Sequence, residues 1–239
     1  MKRLLKNLKK IKLGIIALGL FSFLLSSCLK DTSNYVAPPT GLVTFYQASP
    51  DEPAMNLDFN SNQVNQNPIY YGDDIDYFRA YAGQRTVNLV FTNSLNTIAT
   101  ATVTLVANNA YSLFLANTSA HPEIVLLNDT LNRPASGKAS IRLVNLSPDA
   151  PAVDLKVQGG PVLVSNKAFK GYSSFLPVSG QTNYTFQIMQ TGTNTILATL
   201  PNVAISNGFV YTILFHGLAT TTNNGDKLAA DLITNAYFY

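Results

Sequence analysis

The chain of 239 residues contains no tryptophan, one cysteine and only two histidines. A single cysteine cannot form a disulfide bond within the chain. Zinc sites need several histidine or cysteine ligands, and His121 and His216 lie in no recognisable metal or catalytic motif. No G-x-S-x-G nucleophile elbow occurs either. These absences predict a protein that is not an enzyme and that holds no metal and no cofactor, while the lack of tryptophan counts mildly against a carbohydrate-stacking surface.

Charged residues are also scarce, at 12% of the chain, with 16 basic and 13 acidic side chains. Six of the basic residues lie within residues 1–27. If that segment is removed, ten basic and thirteen acidic residues remain, and the net charge becomes −3. A weakly acidic chain lacks the basic surface that nucleic acids require, so we expect no nucleic acid partner.

The first residues predict a secretory signal peptide. A basic segment precedes an apolar run of 13 residues, Leu13 to Leu25, which is shorter than the roughly 20 residues that cross a bilayer. The tetrad Leu25-Ser26-Ser27-Cys28 follows, and it resembles the lipobox of bacterial lipoproteins. The resemblance implies that residues 1–27 are cleaved and that Cys28 is lipidated and begins the mature chain. A transmembrane anchor is the alternative interpretation.

Residues 28–41 read as a polar, proline-rich tether between the lipid and the folded body. Within it, Leu29-Lys30-Asp31 resembles the surface-export signals of lipoproteins in the Bacteroidota, although only one acid follows the lysine. An ordinary solvated spacer is an equally good interpretation of these three residues. We therefore expect a protein that is anchored by lipid in the bacterial outer membrane and exposed at the cell surface.

The rest of the chain has the composition and the period of β-strands. Threonine, asparagine, valine, tyrosine and phenylalanine abound, and no convincing 3.6-residue period follows Cys28. Alternation with a period of two is widespread: Val153, Leu155 and Val157 point one way, as do Tyr184, Phe186 and Ile188. Turn clusters separate these runs at short intervals. This pattern predicts an all-β fold.

An internal repeat divides this β region into two modules. Four landmarks recur in the same order at offsets of 97 or 98 residues, beginning with Ser49-Pro50-Asp51 and Ser147-Pro148-Asp149. We therefore predict two tandem immunoglobulin-like antiparallel β-sandwich modules after the lipoprotein signal peptide, at residues 42–132 and 138–239, with the junction in "LNRPASGKA".

The repeated motif S-P-D-x-P-A is typical of a structural corner. Its first proline presets φ near −65°, the aspartate accepts hydrogen bonds from nearby backbone amides, and the second proline restarts the chain as a strand. A ligand contact at the aspartates is the alternative. The corner residues are Ser49, Pro50, Asp51 and Pro53 in the first copy and Ser147, Pro148, Asp149 and Pro151 in the second.

These residues carry a resemblance to a known family. The stretch "SIRLVNLSPDAPAVDLKVQGG", followed by "FKGYSSFLPVSGQTNYTFQI" and "NVAISNGFVYTILFHG", resembles the domain of unknown function 4397. The first copy, with "VTFYQASPDEPAMNLDF", resembles a more divergent member, in which Asn56 stands where the second copy has Asp154. The resemblance implies a fold and a surface location but no established activity.

Two further stretches are candidate sites. Three carboxylates and tyrosines within residues 70–77 could supply oxygen ligands to Ca²⁺ or stack on sugars, although the spacing matches no defined calcium loop and an ordinary solvated loop is the alternative. The sequence Asp129-Thr130-Leu131 resembles an O-glycosylation acceptor of the Bacteroidota, which would place a glycan on Thr130. The candidate ligand residues are Tyr70, Tyr71, Asp73, Asp74, Asp76 and Tyr77.

Two hypotheses about function stay open at this stage. The first is a non-catalytic surface module that binds or adheres, with a glycan or another envelope protein as its partner. The second is a structural spacer or envelope scaffold without a small-molecule ligand. An exposed aromatic patch or a concave face would favour the first, and smooth polar faces with a rigid junction between the modules would favour the second.

Overall fold

The computed structural model describes residues 36–94 and 96–239. The predicted signal peptide, Cys28 and most of the predicted tether lie outside the described residues. The chain divides into two compact units, Met1–Pro38 and Pro39–Tyr239. Every strand described below lies in the second unit.

The first module consists of two four-stranded sheets. One sheet has the order β4-β1-β7-β8 and the other the order β3-β2-β5-β6. The strands are β1 (Thr40–Gln47), β2 (Met55–Phe59), β3 (Asn62–Gln63), β4 (Asp74–Tyr81), β5 (Gly83–Phe91), β6 (Thr97–Leu105), β7 (Ala110–Ala116) and β8 (Glu123–Asp129).

The second module repeats this arrangement strand for strand. Its sheets have the orders β12-β9-β15-β16 and β11-β10-β13-β14, which become the orders of the first module when eight is subtracted from each label. A short 3-10 helix, Asn224–Asp226, precedes the last strand. The strands are β9 (Lys138–Asn145), β10 (Val153–Val157), β11 (Val162–Lys167), β12 (Leu176–Ser179), β13 (Thr182–Gln190), β14 (Ile196–Ile205), β15 (Phe209–His216) and β16 (Ala229–Tyr237).

The prediction of an all-β fold with two sandwich modules is confirmed, with one departure from the antiparallel pattern. β1 pairs with β7 in parallel, and β9 pairs with β15 in parallel. In both modules the chain crosses to the other sheet and back between the paired strands, as a parallel pair requires. The sheets are therefore mixed, with one parallel pair each in two of the four.

Each module has its own hydrophobic core between its two sheets, and period-two alternation builds it. In β2, Met55 and Leu57 are buried while Asn56 is only half-buried. In β10 and β13, the predicted inward residues Val153, Leu155 and Phe186 are fully buried in the second core. The alternation that the sequence shows is therefore the alternation that fills the cores.

Two strands break the alternation because both of their faces are covered. All seven residues of β7 are buried, as are seven of the eight in β15. One face of each strand packs on the core of its own module, and the other packs on the other module in a third cluster. We call this contact between the sheets of β1 and β9 the seam. Its buried apolar residues are Tyr46, Ala48, Phe114, Ala116, Leu127, Val144, Leu146 and Leu214.

A buried ion pair crosses the seam. Arg142 on β9 is 1% exposed, and its Nη1 lies 2.7 Å from Oδ1 of Asp129 at the end of β8. The remaining guanidinium nitrogens donate to Ser112 Oγ (2.9 Å) and Thr212 Oγ1 (2.8 Å). The other carboxylate oxygen accepts from Ser112 Oγ at 2.8 Å and from the hydroxyl of Tyr77 at 2.5 Å. The buried charges are therefore paired and hydrogen-bonded on both sides.

We predict that Asp129→Ala lowers the free energy of unfolding by about 3–5 kcal/mol, because it leaves the Arg142 guanidinium buried without a counter-charge. Urea unfolding of residues 36–239 measures the change. Glu123→Ala is the matched control, since it removes the exposed seam pair with Lys170 (2.6 Å), and such pairs contribute only about 0–1 kcal/mol. Equal losses in the two variants would contradict the assigned role of the buried pair.

Candidate functional site

The two corner aspartates tie the corner to a loop far along the chain. Asp149 Oδ1 accepts from the amide of Ala219 (2.7 Å), and Oδ2 accepts from the amide (3.0 Å) and hydroxyl (2.7 Å) of Thr220. In the first copy, Asp51 accepts from the amide and the hydroxyl of Ser119, both at 2.8 Å. The expected partners were nearby amides of the same turn, whereas these partners are about 70 residues away. Each aspartate thus fastens the corner to the loop that follows the parallel strand of its own module.

The hydrogen bonds to Asp149 also change its acidity. Partial burial by itself raises the pKa of this carboxyl, but the bonds from Ala219 and Thr220 outweigh burial and lower the pKa below its ordinary value. The pKa of Asp149 is thus lower in the folded state than in the unfolded state. The ionised carboxylate therefore stabilises the fold at pH values above its ordinary pKa near 3.9, and this contribution is lost as the pH falls through the folded pKa.

The stretch from Tyr70 to Tyr77 does not form one site. The Asp73 carboxylate accepts from the amide of Tyr70 (2.8 Å) and so braces its own turn. Asp74 and Asp76 lie two residues apart on β4. The side chains of Tyr71 and Tyr77 are directed to the seam instead, where both contact the second module. Among the residues that the structure describes, no group of three or more histidine, cysteine or acidic side chains is arranged to hold a metal ion. The calcium interpretation of this stretch stays a prediction.

Tyr71 instead joins a polar cluster at one end of the seam. Its hydroxyl lies 2.5 Å from Nδ1 of His216, whose Nε2 lies 2.8 Å from Oδ2 of Asp231. The same carboxylate oxygen accepts a hydrogen bond from Tyr46. The bond from His216 lowers the pKa of Asp231, while burial raises the pKa of Tyr71 and of Tyr46. His216 is thus a buried residue that links Tyr71 of the first module to Asp231 of the second, while Tyr46 of the first module bonds Asp231 directly.

The seam leaves a cleft open on each side of the buried cluster. One, which we call the seam cleft, has a volume of about 400 Å³ and lies where the end of β8 faces the segment before β12. Tyr172 is 48% exposed there, and the Phe175 ring lies over the Arg142 guanidinium with 4.6 Å between the ring centre and Cζ. The polar residues of its lining are Asn128, Thr130, Asn132, Ser140, Ser173 and Ser174.

The second cleft, which we call the acidic cleft, has a volume of about 390 Å³ and lies where β4 faces β16. Asp74 and Asp76 approach it from the first module and Asp231 from the second. Burial, together with the charges of Asp76 and Asp73, raises the pKa of Asp74. The sequence identified Asp74 and Asp76 as candidate ligand residues, but it gave no sign that Asp231 faces them across the cleft.

The two clefts are built from corresponding elements of the repeat. The amide of Gly72 donates to the carbonyl of Gln47 (2.9 Å), and the amide of Lys170 donates to the carbonyl of Asn145 (2.8 Å). Both donors have a positive φ, +87° and +62°. Equivalent turns, beside the equivalent strands β1 and β9, therefore begin the two segments. One is the acidic segment after Gly72, and the other is the segment after Lys170, which carries Tyr172. One repeat thus supplies a carboxylate wall and the other an aromatic and hydroxyl wall.

The candidate glycosylation residue lies at the rim of the seam cleft. Thr130 is exposed, while the adjacent Asp129 is buried in its ion pair with Arg142. An enzyme that reads the aspartate of an Asp-Thr motif would not reach this side chain in the folded protein. Glycosylation of Thr130 stays a prediction, and it is restricted to the chain before the seam closes.

Sequence reasoning missed Arg142, Asp231 and the role of His216. One signal was available: in "SIRLVN", an arginine stands in a strand whose other residues are largely apolar. Burying a charge at such a position costs free energy unless a partner compensates it.

No helix within residues 36–94 and 96–239 is both long and apolar enough to cross a membrane.

We predict that Asp149→Ala lowers the free energy of unfolding by about 1 kcal/mol, the usual net value of such hydrogen bonds. Asp149→Asn should cost less, because its amide oxygen still accepts from Ala219 while the bonds from Thr220 are lost. Asp58→Ala is the control, since no side-chain bond to Asp58 occurs within the described residues. The difference between wild type and Asp149→Ala in melting temperature should shrink below about pH 4. A difference that grows on acidification would contradict this assignment.

Comparison with solved structures gives several distant likenesses. They include a family 26 carbohydrate-binding module of Eubacterium rectale Amy13K in complex with maltoheptaose, with a TM-score of 0.27 and 10% identity over 82% of this chain and 97% of that one. The TIE protein of Bacillus anthracis has a TM-score of 0.24 and 9% identity over 74% of this chain and 34% of that one. A streptococcal virulence factor described for alpha-glucan binding has a TM-score of 0.24 and 10% identity over 82% and 97%. At these scores the likenesses carry no argument about a ligand.

No curated protein matches the chain in sequence. A family model does match, over residues 41–156, and it is described as a domain of unknown function, DUF4397. The matched range runs through the first module, across the junction and into β10 of the second. The chain therefore contains a region of the DUF4397 family in residues 41–156.

Proposed function

We propose that this chain is a lipid-anchored protein of the bacterial outer membrane, exposed at the cell surface, that acts as a non-catalytic binding protein with the seam cleft as its binding site. On this proposal both modules are copies of the family domain. The second copy rests on the matching corner motifs and on the identical strand order of the two modules.

The observation that carries the binding role is the lining of the seam cleft. Amide and hydroxyl side chains surround a half-exposed tyrosine ring, and Arg142 beneath them is already neutralised by Asp129. Amides and hydroxyls both donate and accept hydrogen bonds, and an aromatic face packs on flat apolar patches. A neutral polar ligand such as a glycan fits this combination better than an anion does, because no uncompensated positive charge is present in the lining.

The lipid anchor rests on the sequence. A basic segment, an apolar run of 13 residues and the tetrad Leu25-Ser26-Ser27-Cys28 stand in the order of a lipoprotein signal. Several acyl chains on Cys28 would supply the two or more membrane signals that durable attachment needs. The tether of residues 28–41 would then hold the folded unit, which begins at Pro39, close to the membrane surface.

The structural-spacer hypothesis keeps one specific observation in its favour. The seam joins the modules through an apolar cluster, a buried ion pair and the exposed pair of Glu123 with Lys170. A junction of this kind holds the two modules at a fixed spacing, which a spacer requires. The spacer is therefore the second candidate, and it differs from the first in requiring no ligand in the seam cleft.

We predict that Cys28→Ala leaves the signal peptide uncleaved by the lipoprotein peptidase and reduces the membrane-bound fraction, because the acyl chains can no longer be attached. Mass spectrometry of the native protein should find acylation on Cys28, and cell fractionation should show loss of the variant from the membrane. An unmodified Cys28 in native material would overturn the proposed localisation.

We predict that residues 36–239 bind neutral glycans of the cell envelope or its surroundings, and that Tyr172→Ala weakens the binding about tenfold, which corresponds to about 1.4 kcal/mol. A glycan array identifies the ligand, and calorimetry compares the variants. Tyr81→Ala is the matched control, since Tyr81 is comparably exposed, at 56%, but lies outside the seam cleft.

Failure of every glycan to bind, with both tyrosine variants equally stable, would favour the spacer over the binding protein. Equal weakening by Tyr172→Ala and Tyr81→Ala would place the binding site elsewhere on the surface.

A further inference from the structure

One long sheet edge of the protein carries neither a charge nor a proline to prevent it from pairing with another edge, and its one irregularity is a bulge between Thr97 and Ala99 near its start. Within the described residues the four sheets end in eight edge strands. Natural edge strands are protected by charges, by proline or by being very short. Seven of the eight follow this rule: charged residues occur in β4, β8, β11 and β16, proline occurs in β12 and β14, and β3 has two residues.

The exception is β6, with the sequence TIATATVTL over Thr97–Leu105. It is nine residues long and contains neither a charge nor a proline, and it pairs only with β5 within the described part of the chain. Its counterpart in the second module, β14, carries Pro201, which cannot donate a backbone hydrogen bond. The repeat therefore blocks this edge in one copy and leaves it open in the other.

We propose that the β6 edge is an interaction surface for a second copy of this chain, through antiparallel pairing of two β6 strands centred on Ala101. The two sheets would join into one continuous eight-stranded sheet, with the order 3-2-5-6-6-5-2-3. The association has closed two-fold symmetry, in which the same strand serves both partners.

The register follows from the alternation of buried and exposed residues. In β6, Val103 and Leu105 face the core, while Thr100, Thr102 and Thr104 are exposed. Antiparallel pairing about Ala101 places Val103 opposite Ala99 and Thr102 opposite Thr100. Core-facing residues of one copy thus meet core-facing residues of the other, and a shift by one residue would destroy that match.

The side chains are also compatible across the new pair. Threonine pairs with threonine on the exposed face, which is a favourable cross-strand pair, and no like charges meet. A strand of another protein would need the same alternation of core-facing and exposed residues, whereas β6 of a second copy has this alternation already. This self-complementarity is why we assign the edge to another copy of the chain.

Pairing of one strand from each copy buries less surface than the roughly 1,200 Å² of a stable interface. We therefore expect a weak dimer that appears as the concentration rises. Sedimentation velocity of residues 36–239 over a range of concentrations tests it, since this part of the chain includes the whole compact unit Pro39–Tyr239.

Cross-linking tests the register. Residues 36–239 contain no cysteine, so Ala101→Cys introduces a unique thiol at the centre of the predicted pair. Directly opposed Cα atoms of an antiparallel pair lie about 4.5–5.5 Å apart, within the range that a disulfide bridges. Mild oxidation should link Ala101→Cys into dimers at least tenfold faster than Ala198→Cys, a similarly half-buried alanine on the edge strand that contains Pro201.

Charge substitutions separate pairing from folding. Thr102→Lys should weaken the dimer at least tenfold, because the two lysines become diagonal neighbours across the pair. Thr100→Glu combined with Thr102→Lys should restore it, since each lysine then faces a glutamate of the other copy. Melting temperatures of both variants verify that the monomers fold.

The proposal is overturned if wild-type protein stays monomeric at every concentration, if Ala198→Cys links as fast as Ala101→Cys, or if the double variant fails to recover the dimer lost in Thr102→Lys. None of these measurements depends on a ligand in the seam cleft or on the lipid at Cys28.

Discussion

The structure depends on how the charge of Arg142 is satisfied. A guanidinium removed from water is very costly, and a buried ion pair often does no better than two apolar side chains of the same size. The pair with Asp129 is therefore not explained by stability alone. Its geometric demand is stricter, because Arg142 has hydrogen-bonding partners on both modules, Ser112 and Thr212. Only one placement of the two sheets satisfies all of them, so the ion pair fixes the register of the seam.

That register determines what the surface offers. With the sheets held in one placement, the end of β8 faces Tyr172 to form the seam cleft, and β4 faces β16 to form the acidic cleft. Neither cleft exists in a single module, since each has one wall from each copy of the repeat. The duplication thus creates two clefts that a single module does not have, and one repeat supplies a carboxylate wall while the other supplies an aromatic ring. A binding role and a fixed junction are for this reason consequences of the same contact.

The sequence was informative about the hydrophobic core of each module. Period-two alternation identified Val153, Leu155 and Phe186 as core residues, and the repeat predicted two sandwiches of one design, as the identical strand orders show. The seam could not be predicted, because alternation separates inward from outward residues without saying what covers the outward face. Arg142 and Asp129 are thirteen residues apart in sequence but belong to different modules, and His216 meets Tyr71 across 145 residues. The parallel pairs escaped notice because pairing direction leaves no periodic signal in a single strand.

Comparison of the two copies shows where the repeat was free to change. Thr44 and Arg142 occupy the same place, since the first pairs with Ser112 and the second with Thr212 in the corresponding parallel ladders. One copy keeps a small hydroxyl there and the other a charge, as an asymmetric contact between similar faces requires. The corner aspartates did not change, because each fastens a loop within its own module and both modules need that bond. The corner aspartates, which each serve one module, are thus retained in both copies, whereas Thr44 and Arg142, which lie at the contact between the modules, differ. A difference of this kind allows two similar sheets to bind each other in an asymmetric way.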